Sequence, residues 1–585
     1  MSVVNPIPRP EHPSPQWERR SWKNLNGKWE FEIDRGGSGE HRELWRAERL
    51  SGEITVPFCP ESRLSGVEDK DFMLSVWYRK VITLSDDELR GNRVILHFGG
   101  ADFETRLWVN GKQVGLPHIG GGGSFEFDIT GAIEAGDNVI TVNCCDDTRS
   151  PRQAGGKQSM RYESHRCYYT RTTGIWQTVW YEIVPESYVR YARITPDAEN
   201  ATVALELELC GEGDVCCEVF YEGKSVGQAS KKNCSVTAHL DIALSEKHLW
   251  ELGHGRLYDI VLRFGKDEVK SYFGLRSVRM DGMRFLLNGK SVFQRLVLDQ
   301  GFYPDGIWTA PTEEALVKDI QCGPDAGFNG ARLHQKVFEP RYLYHADKMG
   351  YMIWGEYNSW GIDHSDIGNL YAFLPDWLST VRRDFNHPSL IGWCPFNETW
   401  DYGEQHKFQD DRFLRIVYEQ TKLADPTRPC IDTSGNYHVV TDIYDVHDYD
   451  QSPESFKAHY DQILETGELY ERWPARQKRK DGEPVFMSEY GGIGINLVNN
   501  DYETGRRKTA WSYGKSCFSY EEFYARYKGL TDALLDNPLM MGFCYTQLTD
   551  VEQEKNGLFN YDDRSPKFDM AIISKINKRK AAIED

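Results

Sequence analysis

The sequence is short of several features, and each absence removes a class of protein. Thirteen cysteines include no CxxC spacing, and two of the closest pairs, Cys144–Cys145 and Cys216–Cys217, are adjacent in the chain. Adjacent cysteines rarely bridge and zinc-type spacing is missing, so the thiols are read as reduced, in a cytoplasm. No apolar stretch approaches the roughly 20 residues that a bilayer span requires. The opening MSVVNPIPRP has no signal-peptide apolar core, so no membrane association is expected. Positive charge is also in deficit: 69 Lys and Arg against 89 Asp and Glu give a net charge of −20, which repels the phosphates of nucleic acids and anionic lipids. The Gly run 120–123 lacks the helix and lysine of a phosphate cradle and is read as a loop, so no cofactor is expected. What the chain has in excess is aromatics, with 17 Trp and 31 Tyr, suited to large cores or to platforms for flat apolar ligands such as sugar faces.

At 585 residues the chain is too long for one ordinary core, and two to four domains are expected. Residues 1–185 alternate apolar and polar side chains in runs such as VWYRKVITL, NRVILHF and TRLWVNGKQV, separated by Gly, Asn and Asp turns. This is the pattern of an antiparallel sandwich. Residues 186–278 alternate more weakly, over a length that suits a small immunoglobulin-like sandwich. From 279 to 585, short apolar strands alternate with amphipathic helices, expected at 312–326, 340–349, 405–424 and 519–536. Eight strand-like runs in about 300 residues fit a (β/α)8 barrel better than an open sheet. Between the fifth and sixth runs, NYHVV is too short for a helix.

A barrel of this kind carries its site at the C-terminal ends of the strands. The residues closing the runs are Asp299, His334, Glu356, Asn397 with Glu398, His447 with Tyr449, Glu489 and Asp550. Glu398 ends the apolar stretch of IGWCPFNETW, and Glu489 sits in FMSEYGG. Strands four and seven lie on roughly opposite sides of a barrel, so the two carboxylates can face one small ligand. Cleaving a glycosidic bond needs such a pair, and a separation of about 5–5.5 Å makes the second a nucleophile, with retention of configuration. Glu398 is therefore read as the acid/base, its pKa raised by apolar walls of Trp393, Phe396 and Trp400. Glu489 is the ionised nucleophile, Tyr449 its hydrogen-bond donor, and Asn397 the donor to the hydroxyl beside the reacting carbon. Asp299, His334, Glu356, His447 and Trp400 are candidates to contact the substrate, directly or by supporting residues that do. The bland alternative for Glu398 is a structural carboxylate paired to an arginine such as Arg332.

These residues resemble glycoside hydrolase family 2, the β-galactosidase/β-glucuronidase group. NHPSLIGWCPFNETW, residues 386–400, resembles its acid/base signature, and FMSEYGG its nucleophile strand. LNGKWEFEID, ITVPFCPES, LWVNGKQVG and TRTTGIWQTVW are similar to its N-terminal jelly roll, and FGLRSV to the approach to its barrel. The resemblance implies jelly roll, immunoglobulin-like sandwich and barrel in that order, and retaining exo-hydrolysis of oligosaccharides or glycosides. Dimers and tetramers are common in the family, which leaves a homo-oligomer open. The chain also departs from the family. Trp360 and Ile362 replace the Glu-x-His that holds magnesium in large bacterial galactosidases, so no metal is expected. EQEKNG lacks the Asn-x-Lys with which glucuronidases hold a carboxylate. With Asp299 taken as a hydroxyl acceptor, the expectation is a neutral sugar, a β-galactoside first. A β-galactofuranoside, an α-L-arabinofuranoside or a β-glucuronide is the alternative within the class, and a catalytically inactive carbohydrate-binding protein the alternative outside it.

Overall fold

In the first part of the chain the period-two alternation becomes two antiparallel sheets sharing one core. The computed structural model describes residues 7–399, 409–435, 437–470, 479–497 and 510–584. One sheet has six strands in the order Gly52–Val56, Gly27–Ile33, Ser75–Leu84, Gly136–Cys145, Glu104–Val109 and Lys112–Ile119. The other has Trp22–Asn24, Val179–Pro185, Asn92–Phe98 and Phe125–Asp128. Their inward residues, among them Trp29, Tyr78, Leu96, Phe98 and Val142, bury one another in a jelly roll. A five-stranded immunoglobulin-like unit follows, from Tyr188–Asp197 to Asp267–Phe273, around Leu205, Val219, Ile260 and Leu262. All thirteen cysteines are unpaired, and no described helix is long and apolar enough to cross a membrane.

The last part is a parallel barrel. Its strands are β1 (Gln294–Asp299), β2 (Gly330–Leu333), β3 (Met352–Glu356), β4 (Leu390–Cys394), β5 (Thr433–Ser434), β6 (Tyr444–Asp448), β7 (Val485–Gly491) and β8 (Met540–Thr546). Seven hydrogen-bond side by side in the order β4-β3-β2-β1-β8-β7-β6. The short β5 pairs with Phe396–Asn397, just beyond β4, and reaches β6 through Ser434 Oγ, 2.6 Å from Asp445. Among the described residues the outer helices are α1 (Glu313–Asp325), α2 (Pro340–Met349), α3 (Leu370–Asp384), α4 (Asp411–Ala424), α5 (Pro453–Thr466), α6 (Tyr520–Leu535) and α7 (Met570–Asn577). Among the described residues no helix joins β5 to β6. Helix starts follow local chemistry: Thr312 and Ser519 accept backbone N–H groups at the start of α1 and α6, with two glutamates in each first turn.

Two apolar layers record which way each strand residue points. Leu296, Leu298, Trp354, Ile391, Cys394, Phe486 and Cys544 fill the barrel interior. Val297, Ala331, Leu333, Trp393, Phe396 and Phe543 pack outward against the helices. The Gly run 120–123 lies where the jelly roll meets α3. Asp376, only 1% exposed, accepts from the N–H groups of Gly122 (3.1 Å) and Gly123 (3.0 Å) and from Tyr357 Oη (2.6 Å). A Cβ at Gly122 would stand 2.7 Å from Val337 and 2.9 Å from Asn358, so close approach requires glycine here. Asp376→Ala would strand these buried donors, and stability should fall by about 3 kcal/mol, measured as a lower urea midpoint. An unchanged midpoint would rule out this contact as a clamp between the domains.

Candidate active site

The site is built around a guanidinium. Arg332 lies between outward Ala331 and Leu333, so its side chain enters the barrel. Its Nη1 donates to Glu489 Oε1 (2.8 Å), its Nη2 donates to Asn397 Oδ1 (2.7 Å), and Nη2 lies 2.6 Å from Glu356 Oε2. The side chain is 2% exposed, so these bonds act in a medium that screens them weakly. Glu489 also accepts a short bond from Tyr449 Oη, which lies 3.1 Å from Thr546 Oγ1 and stacks on Tyr513 at 3.5 Å. Burial alone would raise the pKa of Glu489. His447, Arg332, His334 and Lys157 outweigh it and hold the carboxyl down at about 2.

Glu398 stands beyond β4 with φ at +44°, a left-handed conformation that a non-glycine residue adopts only when its surroundings impose it. Its N–H donates to Ser434 O (2.9 Å), and its Oε1 lies 2.8 Å from His447 Nδ1. His447 Nε2 meets Ser434 Oγ at 2.9 Å. Burial works to lower the pKa of His447, but Glu489 and the bond to Glu398 raise it above the ordinary imidazole value. Ligating atoms of Glu398, His447 and Glu489 all lie within 4.8 Å of one another, so an oxygen of one glutamate faces an oxygen of the other across that gap. The trio could ligate a cation, but Arg332 and Lys157 already supply positive charge to Glu489.

Several expectations are corrected. Trp393 and Phe396 do not wall Glu398: Trp393 Nε1 donates to Asp425 (2.8 Å), and Phe396 stacks on Phe373, both on the helix side. The neighbour of Glu398 is an imidazole instead. Arg332 pairs with Glu489, so it is not a structural partner of Glu398. Asp299 shares the outward parity of Val297 and leaves the pocket, accepting from Gly301 N and from Tyr342 Oη of α2, each at 2.9 Å. Burial, with Asp319 nearby, lifts its pKa to about 6. Asp550 lies on a loop after β8, bound to Gly557 N and Lys567.

Glu356 is fully buried between Arg332, the Gln335 N–H (3.0 Å) and His334 Nδ1 (3.1 Å). His334 is driven well below the usual imidazole range by burial and then by Lys157. Asn397 keeps Nδ2 buried without a partner, a donor left over once Oδ1 is taken by Arg332. Trp360 donates from Nε1 to Asn397 O (2.9 Å) and so braces the turn that carries Glu398. Trp400 lies outside the described residues.

Three further residues were missed from sequence. Gln300, next to Asp299, has the inward parity of Leu296 and Leu298 and bonds Gln547 at 2.7 Å, with Gln300 Oε1 and Gln547 Nε2 left unpartnered. Counting two residues on from Leu298 would have found it. Lys157, from the jelly roll, stands with Nζ 5.5 Å from the Trp360 ring centroid. No local sequence signal announced it.

A model described as glycosyl hydrolases family 2, TIM barrel domain, matches residues 278–579, just over half of the chain. The chain belongs to glycosyl hydrolase family 2. The family's sugar binding domain matches residues 64–155, and a third family 2 model matches 187–276. The hydrolase is similar to a β-glucuronidase of Paenibacillus borealis, 25% identical over 539 residues that cover 82% of this chain and 85% of that protein. It is also similar to a β-galactosidase of Leuconostoc mesenteroides subsp. mesenteroides, 24% identical over 80% of this chain and 47% of the other. In fold it matches the β-glucuronidase from Ruminococcus gnavus in complex with D-glucuronic acid, with a TM-score of 0.77, 18% identity and coverage of 98% and 100% of the two chains.

His447, held above the ordinary imidazole value by Glu489 and by its bond to Glu398, should give kcat/KM a basic limb, and His447→Asn should abolish that limb. Glu489, held near 2, should contribute no acidic limb above about pH 3. A pH–rate profile for the wild type and the variant checks both.

Proposed function

We propose that the hydrolase is a retaining exo-glycosidase acting by double displacement. The observation that carries this reading is the opposed pair: Glu489 ionised by its cationic neighbours, facing Glu398 across less than 5 Å. Glu489 attacks the anomeric carbon while Glu398 delivers a proton to the leaving oxygen. Glu398 then takes a proton from the water that releases the sugar. Asn397 Nδ2 donates to the hydroxyl beside the reacting carbon, and Tyr449 orients Glu489.

The sugar is neutral in this reading, with a β-galactoside first and its furanoside counterparts on the same test panel. Asp299 lies outside the pocket, and charge decides instead: Glu356, Glu398, Glu489 and Glu554 already surround Arg332, His447 and Lys157. A substrate carboxylate would add to the acidic side. In the loop after β8, Lys555 is 43% exposed and faces Asp550, while Glu554 and Asn556 are buried. A β-glucuronide is the second reading, favoured by the names of the similar proteins and by the ammonium of Lys157.

Glu489→Ala should lower kcat by several orders of magnitude with the fold intact, and azide should restore part of it as a product of inverted configuration. Near-normal turnover would remove Glu489 from the mechanism. Glu398→Ala should cost far more on poor leaving groups than on activated aryl glycosides. A panel of aryl galactosides, galactofuranosides, arabinofuranosides and glucuronides should show neutral sugars ahead. Glucuronide ahead of all would establish the second reading, and release from none would point to a binding protein.

A further inference from the structure

Lys157 reaches the pocket from outside the barrel. Its loop leaves the jelly roll and lies on the barrel mouth through backbone bonds: Gly155 N–H to Trp360 O (2.7 Å), and Gly156 N–H to Asn358 O (3.0 Å). Asn358 Nδ2 answers to Ala154 O at 3.1 Å. A Cβ at Gly156 would overlap the Gln335 carbonyl, so the loop is pressed as close as backbone allows. From the other side, the Lys157 carbonyl accepts from Tyr169 N–H (2.8 Å), and Tyr169 Oη donates to Glu554 in the loop after β8.

The lysine so held is 3% exposed, yet among the described residues its ammonium makes no hydrogen bond or ion pair within 4 Å. It rests 5.5 Å from the centre of the Trp360 ring, the same ring whose Nε1 holds Asn397. Burial works against its charge, but Glu554, then Glu489 and Glu398 among others, keep it above the ordinary lysine pKa. An ammonium on so enclosed a residue, with three donors and no described protein acceptor, leaves room for something else to complete its shell. Glu398 and Glu489 both act on this ammonium, so a sugar lying between them would present its hydroxyl oxygens on the side the ammonium faces.

We propose that Lys157 is a specificity-determining residue contributed by the jelly roll, donating from Nζ to a ring substituent of the terminal sugar. This rests on the glycosidase reading above. The two can fail separately: a wild type that cleaves no aryl glycoside defeats the parent reading, whereas the tests below are made on a wild type that does.

Lys157→Met keeps the stem and removes the donors. On the preferred aryl glycoside, kcat/KM should fall about 10–100-fold, the size of a lost charged hydrogen bond. A set of monodeoxy analogues then separates direct contact from a field effect. In the wild type each missing hydroxyl carries its own penalty, and in Lys157→Met one of these penalties should vanish. Lys157→Gln, able to donate, should recover part of that position's discrimination, and thermal melting of both variants reports their folding. Wild-type kcat/KM in Lys157→Met overturns the proposal. So does a loss that moves the pH profile while every deoxy penalty stays as in the wild type.

Discussion

A buried guanidinium is expensive, and Arg332 is tolerated only because four acceptors meet it inside the barrel. Those acceptors belong to different strands: Glu356 on β3, Asn397 after β4, and Ser488 and Glu489 on β7. Its planar fork fixes their relative positions as a lysine could not. Much of the pocket's electrostatic state follows from that fork. With His447 it keeps the buried Glu489 ionised, it opposes the upward push of burial on Glu356, and the Asn397 amide is turned so that its NH2 is left free of protein partners. Removing the arginine would strip Glu356 of its main cation and leave Glu489 to His447 and Lys157, which disfavours the folded barrel.

The second arrangement that the geometry depends on is domain docking. The barrel mouth is roofed by a loop from a domain roughly two hundred residues earlier in the chain, and the seam is made of backbone amides, glycines and buried acids. Such seams are stiff, because main-chain bonds and missing Cβ atoms leave little slack. The pocket therefore gains precision from parts that, judged alone, look like connecting loops.

Much of this could be read in the residues. Alternation marked the two β-rich units, and the change of rhythm near residue 279 marked the barrel, because a half-buried strand and an amphipathic helix impose different periods on apolar residues. Glu398 and Glu489 stood out as acids closing apolar runs. Direction was harder. Barrel strands are buried on both faces, so Leu296–Leu298 and Leu390–Cys394 are apolar runs that carry no inward–outward signal. The sequence alone therefore does not distinguish Asp299, which leaves the pocket, from Gln300, which points inward, nor show that Trp393 and Phe396 pack on the helices. His447 as the partner of Glu398, and Lys157 as a visitor from another domain, depend on contacts across 49 residues and between domains. No local pattern records those.

The contact between Tyr169 and Glu554 joins positions 385 residues apart, near opposite ends of the catalytic assembly. A ribosome delivers the jelly-roll loop first and the β8 loop almost last. In that interval the loop can meet Asn358 and Trp360 as they emerge, but its tie to Glu554 has to wait. The tie that fastens the jelly-roll loop to the far side of the barrel is thus made last, so a chain cut short before β8 would carry Glu398 and Glu489 and still lack a completed barrel mouth.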